Sequence, residues 1–268
     1  MDAAAVARLE AYFAQIGANL RDKRKRESFA MYALGLLGDG ERKSVEPMAA
    51  RACGGDTTKI LGTHHKLIHV VGQSTWDDHA VRRVAARYAI AALSAREPVT
   101  TWVIDDTGFL KQGHESEWPD GEEKPTKFTL TTLPQRRSKK QIVRIVKERW
   151  RTERVYEELK GELGLDHYEG RSFVGWRLHV SVALCCFAFV IAERVQHFPP
   201  RQDGKVPLVR SASRPERHFE DSFITARLAI ARVLASWLPR CPCCRRLNTG
   251  RAARGGVESH GAEWTLLQ

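Results

Sequence analysis

Residues 180–192, VSVALCCFAFVIA, run for 13 positions without a charge and are closed by Glu193 and Arg194. They sit inside a longer stretch, 174–195, that is apolar on most sides when wound as a helix. Such a helix has no face to offer water and must be covered all round. Thirteen residues fall short of the roughly 20 that a helix needs to span a bilayer. The run is therefore read as a buried helix, and a chain of 268 residues is long enough to supply the shell around it.

Helical periodicity fills the first 95 residues. Residues 3–20 put Val6, Leu9, Phe13 and Ile16 on one face. Residues 25–38 form a second helix ended by Gly38. Residues 44–52 form a third, with Ser44 as its cap and Glu46-Pro47 in its first turn. Residues 63–71 and 76–93 are further helices, the latter with Asp77 and Asp78 near its start. Beyond residue 98, residues 101–104 (TWVI) have the β-branched and aromatic character of a buried strand, and they end in Asp105-Asp106-Thr107-Gly108. The alternative is an acidic turn closing an ordinary strand.

Residues 147–171, KERWRTERVYEELKGELGLDHYEGR, contain a helix with an unusual face. Arg149, Glu153, Glu157 and Lys160 share one side. Trp150, Val155, Leu159 and Leu163 mark apolar positions, and Gly164 is the expected stop. A glutamate between an arginine and a lysine suits a metal-dependent phosphodiester site, with the carboxylate on Mg²⁺ and the cations on phosphate. The competing reading is a solvated helix laced with ion pairs.

Together these segments resemble the DDE transposases of bacterial insertion sequences, endonucleases with an RNase H-like core. Arg149, Glu153 and Lys160 fit the pattern Y-x2-R-x3-E-x6-K of one branch in register, with Val146 at the tyrosine position. VIDDTGFLKQG is similar to that family's first-aspartate strand, with Asp106 in the catalytic place. Residues 164–184 and 64–78 resemble further segments of one subgroup, the latter its helical DNA-binding region. The resemblance covers roughly residues 15–245. It implies Asp106 and Glu153 as catalytic metal ligands, Mg²⁺ as cofactor, Arg149 and Lys160 on phosphate, and the inverted-repeat ends of the element as DNA partner, with a possible homo-oligomer and no membrane.

One departure governs the functional expectation. Asp106 and Glu153 stand only 47 positions apart. In the family, a second aspartate and a large insertion lie between them. The intervening residues here hold one credible strand, 127–133, and Asp120 sits in the turn-like PDGEE. The chain thus reads as internally deleted, with a junction near 114–119. Two-metal phosphoryl transfer uses cations ~3.5–4 Å apart that share a carboxylate. Asp105 should point to the opposite face of the strand from Asp106 and is a poor substitute.

The expected fold is mixed and mostly helical: a helical DNA-binding region over 1–96, then a truncated RNase H-like α/β core over 97–198. A linker and C-terminal helix occupy 199–247, with the helix at 222–237, and 248–268 form a disordered tail. The expected function is that of a transposase-family protein that binds element DNA and is defective in Mg²⁺-dependent cleavage. The alternative is a non-catalytic DNA-binding protein, either a decayed copy or a transposition inhibitor.

The net charge of +11 and pI of about 9.6 agree with a nucleic-acid partner. The cluster Arg21–Arg26 supplies Lys23, Arg24, Lys25 and Arg26 as DNA-binding candidates; others lie at 136–140, 149–154 and 240–254. The N-terminus lacks the apolar region of a signal peptide, so a cytoplasmic location is expected. Cys185 and Cys186 are expected as core thiols. Cys241, Cys243 and Cys244 have no second pair to complete a zinc site. His65 and His69, one turn apart, have no acidic partner nearby and are read as a polar or DNA-facing helix surface.

Overall fold

The computed structural model describes residues 4–54, 56–99, 136, 138–147, 150–197 and 222–235, with backbone alone at 144–147, 150 and 151. Residues 1–99 with 158–268 form one compact unit and residues 100–157 another. The described elements are α1 (Ala4–Gly17), α2 (Lys23–Leu37), α3 (Val45–Ala52), α4 (Thr57–Gly72), α5 (Asp78–Arg96), α6 (Lys139–Lys147), α7 (Trp150–Leu163), α8 (Phe173–His197) and α9 (Phe223–Ala235).

The expectation of a truncated RNase H-like α/β core is overturned: among the described residues every regular element is a helix and there is no strand. The candidate strands at 101–104 and 127–133 lie outside the described residues, as do Asp105, Asp106 and Asp120. The physical reason shows most clearly at α8. This helix, which the sequence marks as buried, is covered by the helices α5, α2, α4, α9 and α1. Its 25 residues and apolar character would let it cross a membrane by length and composition, but residues on all its sides are buried in the bundle. Burying one all-round apolar helix removes so much surface from water that neighbouring helices suffice as its shell.

The shell is keyed to α8 by aromatic and polar contacts. Tyr12 of α1 stacks on Phe189 at 5.8 Å, lies 4.3 Å from the Tyr88 ring of α5, and donates its hydroxyl to the Cys185 carbonyl at 3.0 Å. Val6, Leu9, Phe13 and Ile16 are buried, as their spacing predicts. Phe29 meets Trp76 edge-on at 5.8 Å, and the Trp76 indole donates to the Val70 carbonyl. Phe187 stacks on Phe223 of α9 at 4.8 Å. Cys185 and Cys186 are fully buried core thiols, and burial pushes the Cys185 pKa up to about 12.

Local signals place the helix ends. Asp22, Asp56 and Asp77 cap α2, α4 and α5 by accepting from Arg24 N, Thr58 N and Ala80 N. Ser222 Oγ accepts from Thr225 N at the start of α9. Ser44 precedes α3 as expected but makes no side-chain cap bond; its hydroxyl accepts from Arg42 Nε instead. Helix α4 begins six residues before the periodic stretch because Asp56 caps it there. Gly164 ends α7 in the left-handed region, φ +64°, with its N–H on the Lys160 carbonyl. A β-carbon there would strike the Lys43 side chain.

In the second unit, α6 lies outside every helix expected from the sequence. It opens on a reciprocal cap: Ser138 N donates to Gln141 Oε1, and Gln141 N donates to Ser138 Oγ at 3.3 Å.

Candidate nucleic-acid interface

The expected catalytic pair is not assembled among the described residues. Asp106 and Arg149 lie outside them. Glu153 stands exposed in the first turn of α7, and Lys160 exposed in its last. Seven residues separate the two, about two helical turns, so they keep to one side of the helix. Among the described residues no three His, Cys, Asp or Glu side chains come together as a metal site. Mg²⁺ keeps several waters but still requires carboxylates in reach of one another. Glu153 alone does not make such a set.

The basic cluster at the start of α2 divides in two. Lys23 and Arg24 are exposed. Lys25 and Arg26 are half-buried and spent on structure: Lys25 Nζ donates to the Thr75 carbonyl and Arg26 Nη1 to the Leu20 carbonyl, each at 3.0 Å. The first pair is available to phosphate, while the second ties loops to the helix. Sequence order alone could not separate them, because the four are consecutive and the helix turns two of them inward.

Helix α4 contains no acidic residue. Thr63, Leu67, Val70 and Val71 point into the core. Opposite them, Thr58, Leu61, Gly62, His65, Ile68 and His69 are exposed, flanked by Lys59 and Lys66. The histidines of this face fall within the helix expected at 63–71, whereas residues 57–62 precede it. The signal that marks the start is Asp56, whose carboxylate accepts from both the backbone N and the hydroxyl of Thr58.

A second polar region is acidic and unsuited to phosphate. A shallow depression of about 390 Å³ is lined by Glu41, Arg42, Asp166, His167 and Glu169. Arg42 is neutralised by Glu169 at 2.5 Å. Beneath it, Tyr32 Oη meets His179 Nδ1 at 2.8 Å, and His179 Nε2 meets the Gly164 carbonyl at 3.1 Å. Lys43 is buried there with its ammonium on the Gly38 carbonyl, which Arg227 also reaches. Burial, with Arg227 and Arg51 close by, lowers the Lys43 pKa to about 7. Arg227 pairs with Glu162 at 2.5 Å. This network joins α2, the α7–α8 loop, α8 and α9. It is a packing device rather than a site open to a ligand.

No curated protein and no solved structure matches the chain. Residues 13–118 match the family model described as DDE superfamily endonuclease. The match takes in α2 to α5 and Asp106, stops short of Glu153, and supports a DDE-type transposase family for this stretch of the chain.

Proposed function

We propose that this protein is a transposase-family DNA-binding protein that has lost strand cleavage through an internal deletion. The observation that carries the reading is where the family match ends. It stops at residue 118, inside the 114–119 window in which the sequence reading puts the junction. Glu153, in the context of the family's catalytic helix, follows too soon for a second aspartate to intervene. The flanks remain able to fold: residues before 99 and after 158 share one hydrophobic core, built around α8. Deletion of the middle therefore leaves a stable helical protein with exposed cations and without a full carboxylate set. Its DNA partner is the inverted-repeat ends of an insertion sequence, and a decayed copy of the enzyme fits this better than an unrelated basic module.

The test pairs binding with cleavage. Full-length protein should bind duplex DNA with an affinity that falls steeply with salt, because each neutralised phosphate releases counterions. It should not nick DNA carrying the element's ends in Mg²⁺ or Mn²⁺. Robust nicking that is abolished by Glu153→Gln would sink the deletion reading and show that another carboxylate completes the site.

A further inference from the structure

We propose that His65 and His69 of α4 form a two-imidazole site for a borderline divalent cation of the Zn²⁺, Ni²⁺ and Cu²⁺ class, with water filling the remaining positions. The two residues stand four positions apart in a helix of 16 residues, Thr57–Gly72. That spacing puts their β-carbons about 5–6 Å apart on one face. Histidine pairs at the same spacing grip zinc on other helices. The glutamate that makes such a pair hydrolytic in H-E-x-x-H is Lys66 here. The site therefore holds an ion and lacks a general base. It is independent of the DNA reading above, and of Mg²⁺, which selects oxygen ligands.

Both imidazoles are unclaimed by the protein, which sets them apart from the other histidines. His79 meets Arg82, and His167 accepts from Lys43 N. His179 is engaged at both nitrogens, and His197 meets Arg8 and Glu193. His65 and His69 are exposed, and neither makes a hydrogen bond or ion pair among the described residues. His64 is half-buried, with its ring centroid 6.1 Å from that of His65. It stands five positions from His69 and so falls off the shared face.

The backbone beneath the pair is held in place, so little freedom is lost when the rings converge. Thr63, Leu67, Val70 and Val71 are buried on the opposite side and anchor α4 in the bundle. The His69 carbonyl accepts from Gln73 N and Ser74 N at 3.1 and 2.8 Å, which closes the helix directly after the pair. His69 lies in the last turn, where the helix dipole favours a cation. Lys66, one turn before His69, opposes the ion, but it is exposed and its charge is screened by salt. Imidazole binds metal in its neutral form, so a face without carboxylates suits a borderline ion while it excludes a hard one. Two protein ligands in open water make an exchangeable site, unlike a structural zinc held by four.

The test titrates untagged full-length protein with Ni²⁺ by calorimetry, at a pH above the ordinary imidazole value of about 6.5, beside melting curves. Wild type should bind the ion, and its melting temperature should rise by about 5–10 °C when Ni²⁺ stands roughly a hundredfold above Kd. His65→Ala and His69→Ala, both at exposed positions, should each weaken binding about tenfold or more and abolish the melting shift. His64→Ala should leave both readings as in wild type. A loss in His64→Ala equal to that in the other two would overturn the assignment to the pair. Losses of only about twofold in His65→Ala and His69→Ala, as two separate single-imidazole sites would give, overturn the chelate. Unchanged Ni²⁺ affinity in the double variant places the ion elsewhere and overturns the proposal. Excess Mg²⁺ should not displace Ni²⁺, and displacement would overturn the imidazole ligation. Wild type that binds no Ni²⁺ overturns it outright.

Discussion

Arg8 holds Glu193 through two parallel hydrogen bonds, Nε to Oε1 and Nη2 to Oε2, each 2.7 Å, although 185 positions separate the two residues. The pair ties α1 to the end of α8. Glu193 is almost fully buried and Arg8 is about three-quarters covered. Arg8 Nη2 also meets His197 Nε2 at 2.7 Å. The same His197 nitrogen lies 3.4 Å from Glu193 Oε2, so all three side chains meet at this end of α8. Glu193→Gln preserves shape but takes the buried negative charge out of this two-bond pair. It should destabilise the protein by about 2–3 kcal/mol. Urea unfolding of the wild type and the variant measures this; a loss under about 0.5 kcal/mol would remove the pair from the account of how α1 is held.

Tyr32 and His179 form the second long-range polar contact. The Gly164 carbonyl can only accept, so His179 Nε2 carries the proton and Nδ1 accepts from the Tyr32 hydroxyl. Burial lowers the His179 pKa and keeps the ring neutral. Tyr32→Phe removes the donor and strands a buried acceptor, at a cost of about 1–3 kcal/mol. The same unfolding measurement decides it, and an unchanged midpoint would show that the hydroxyl contributes nothing.

Lys43 makes stability depend on pH. Its folded pKa, about 7, lies below the usual 10.5. Between those values the unfolded chain holds a proton that the folded chain has released. Unfolding therefore takes up protons, and stability rises with pH across this window by up to about 1.4 kcal/mol per unit. Lys43→Met keeps the apolar stem and loses the titrating group. The wild-type curve from pH 7 to 9 should climb relative to the variant's; parallel curves would contradict the assignment.

The two halves of the α2 basic cluster should separate by experiment. Lys23→Ala with Arg24→Ala should leave melting unchanged, weaken binding across all duplexes, and lower the salt slope by about 2. Lys25→Ala with Arg26→Ala should lower the melting temperature, because carbonyls at Thr75 and Leu20 lose their donors. Identical behaviour of the two double variants would mean that exposure does not sort these cations.

The sequence by itself determined every described helix but α6, and most of their ends. Apolar spacing of 3.6 residues marked α1 and α2, an unbroken apolar run marked α8, and capping aspartates or glycines marked the limits of α2, α5 and α7, because these signals act within one or two turns. It also marked Val6, Leu9, Phe13, Ile16, Cys185 and Cys186 as core. What packs against α8 was decided only in three dimensions. An all-round apolar helix carries no directional code and is satisfied equally by a sheet or by helices, so the sheet inferred from resemblance had no local residue to contradict it. The same holds for the cations. Four consecutive basic residues look alike in sequence, and only the turn of α2 against the loops at Leu20 and Thr75 decides which two face solvent. Contacts such as Arg8 with Glu193 depend on chain segments meeting from opposite ends, a long-range fact that no local pattern encodes.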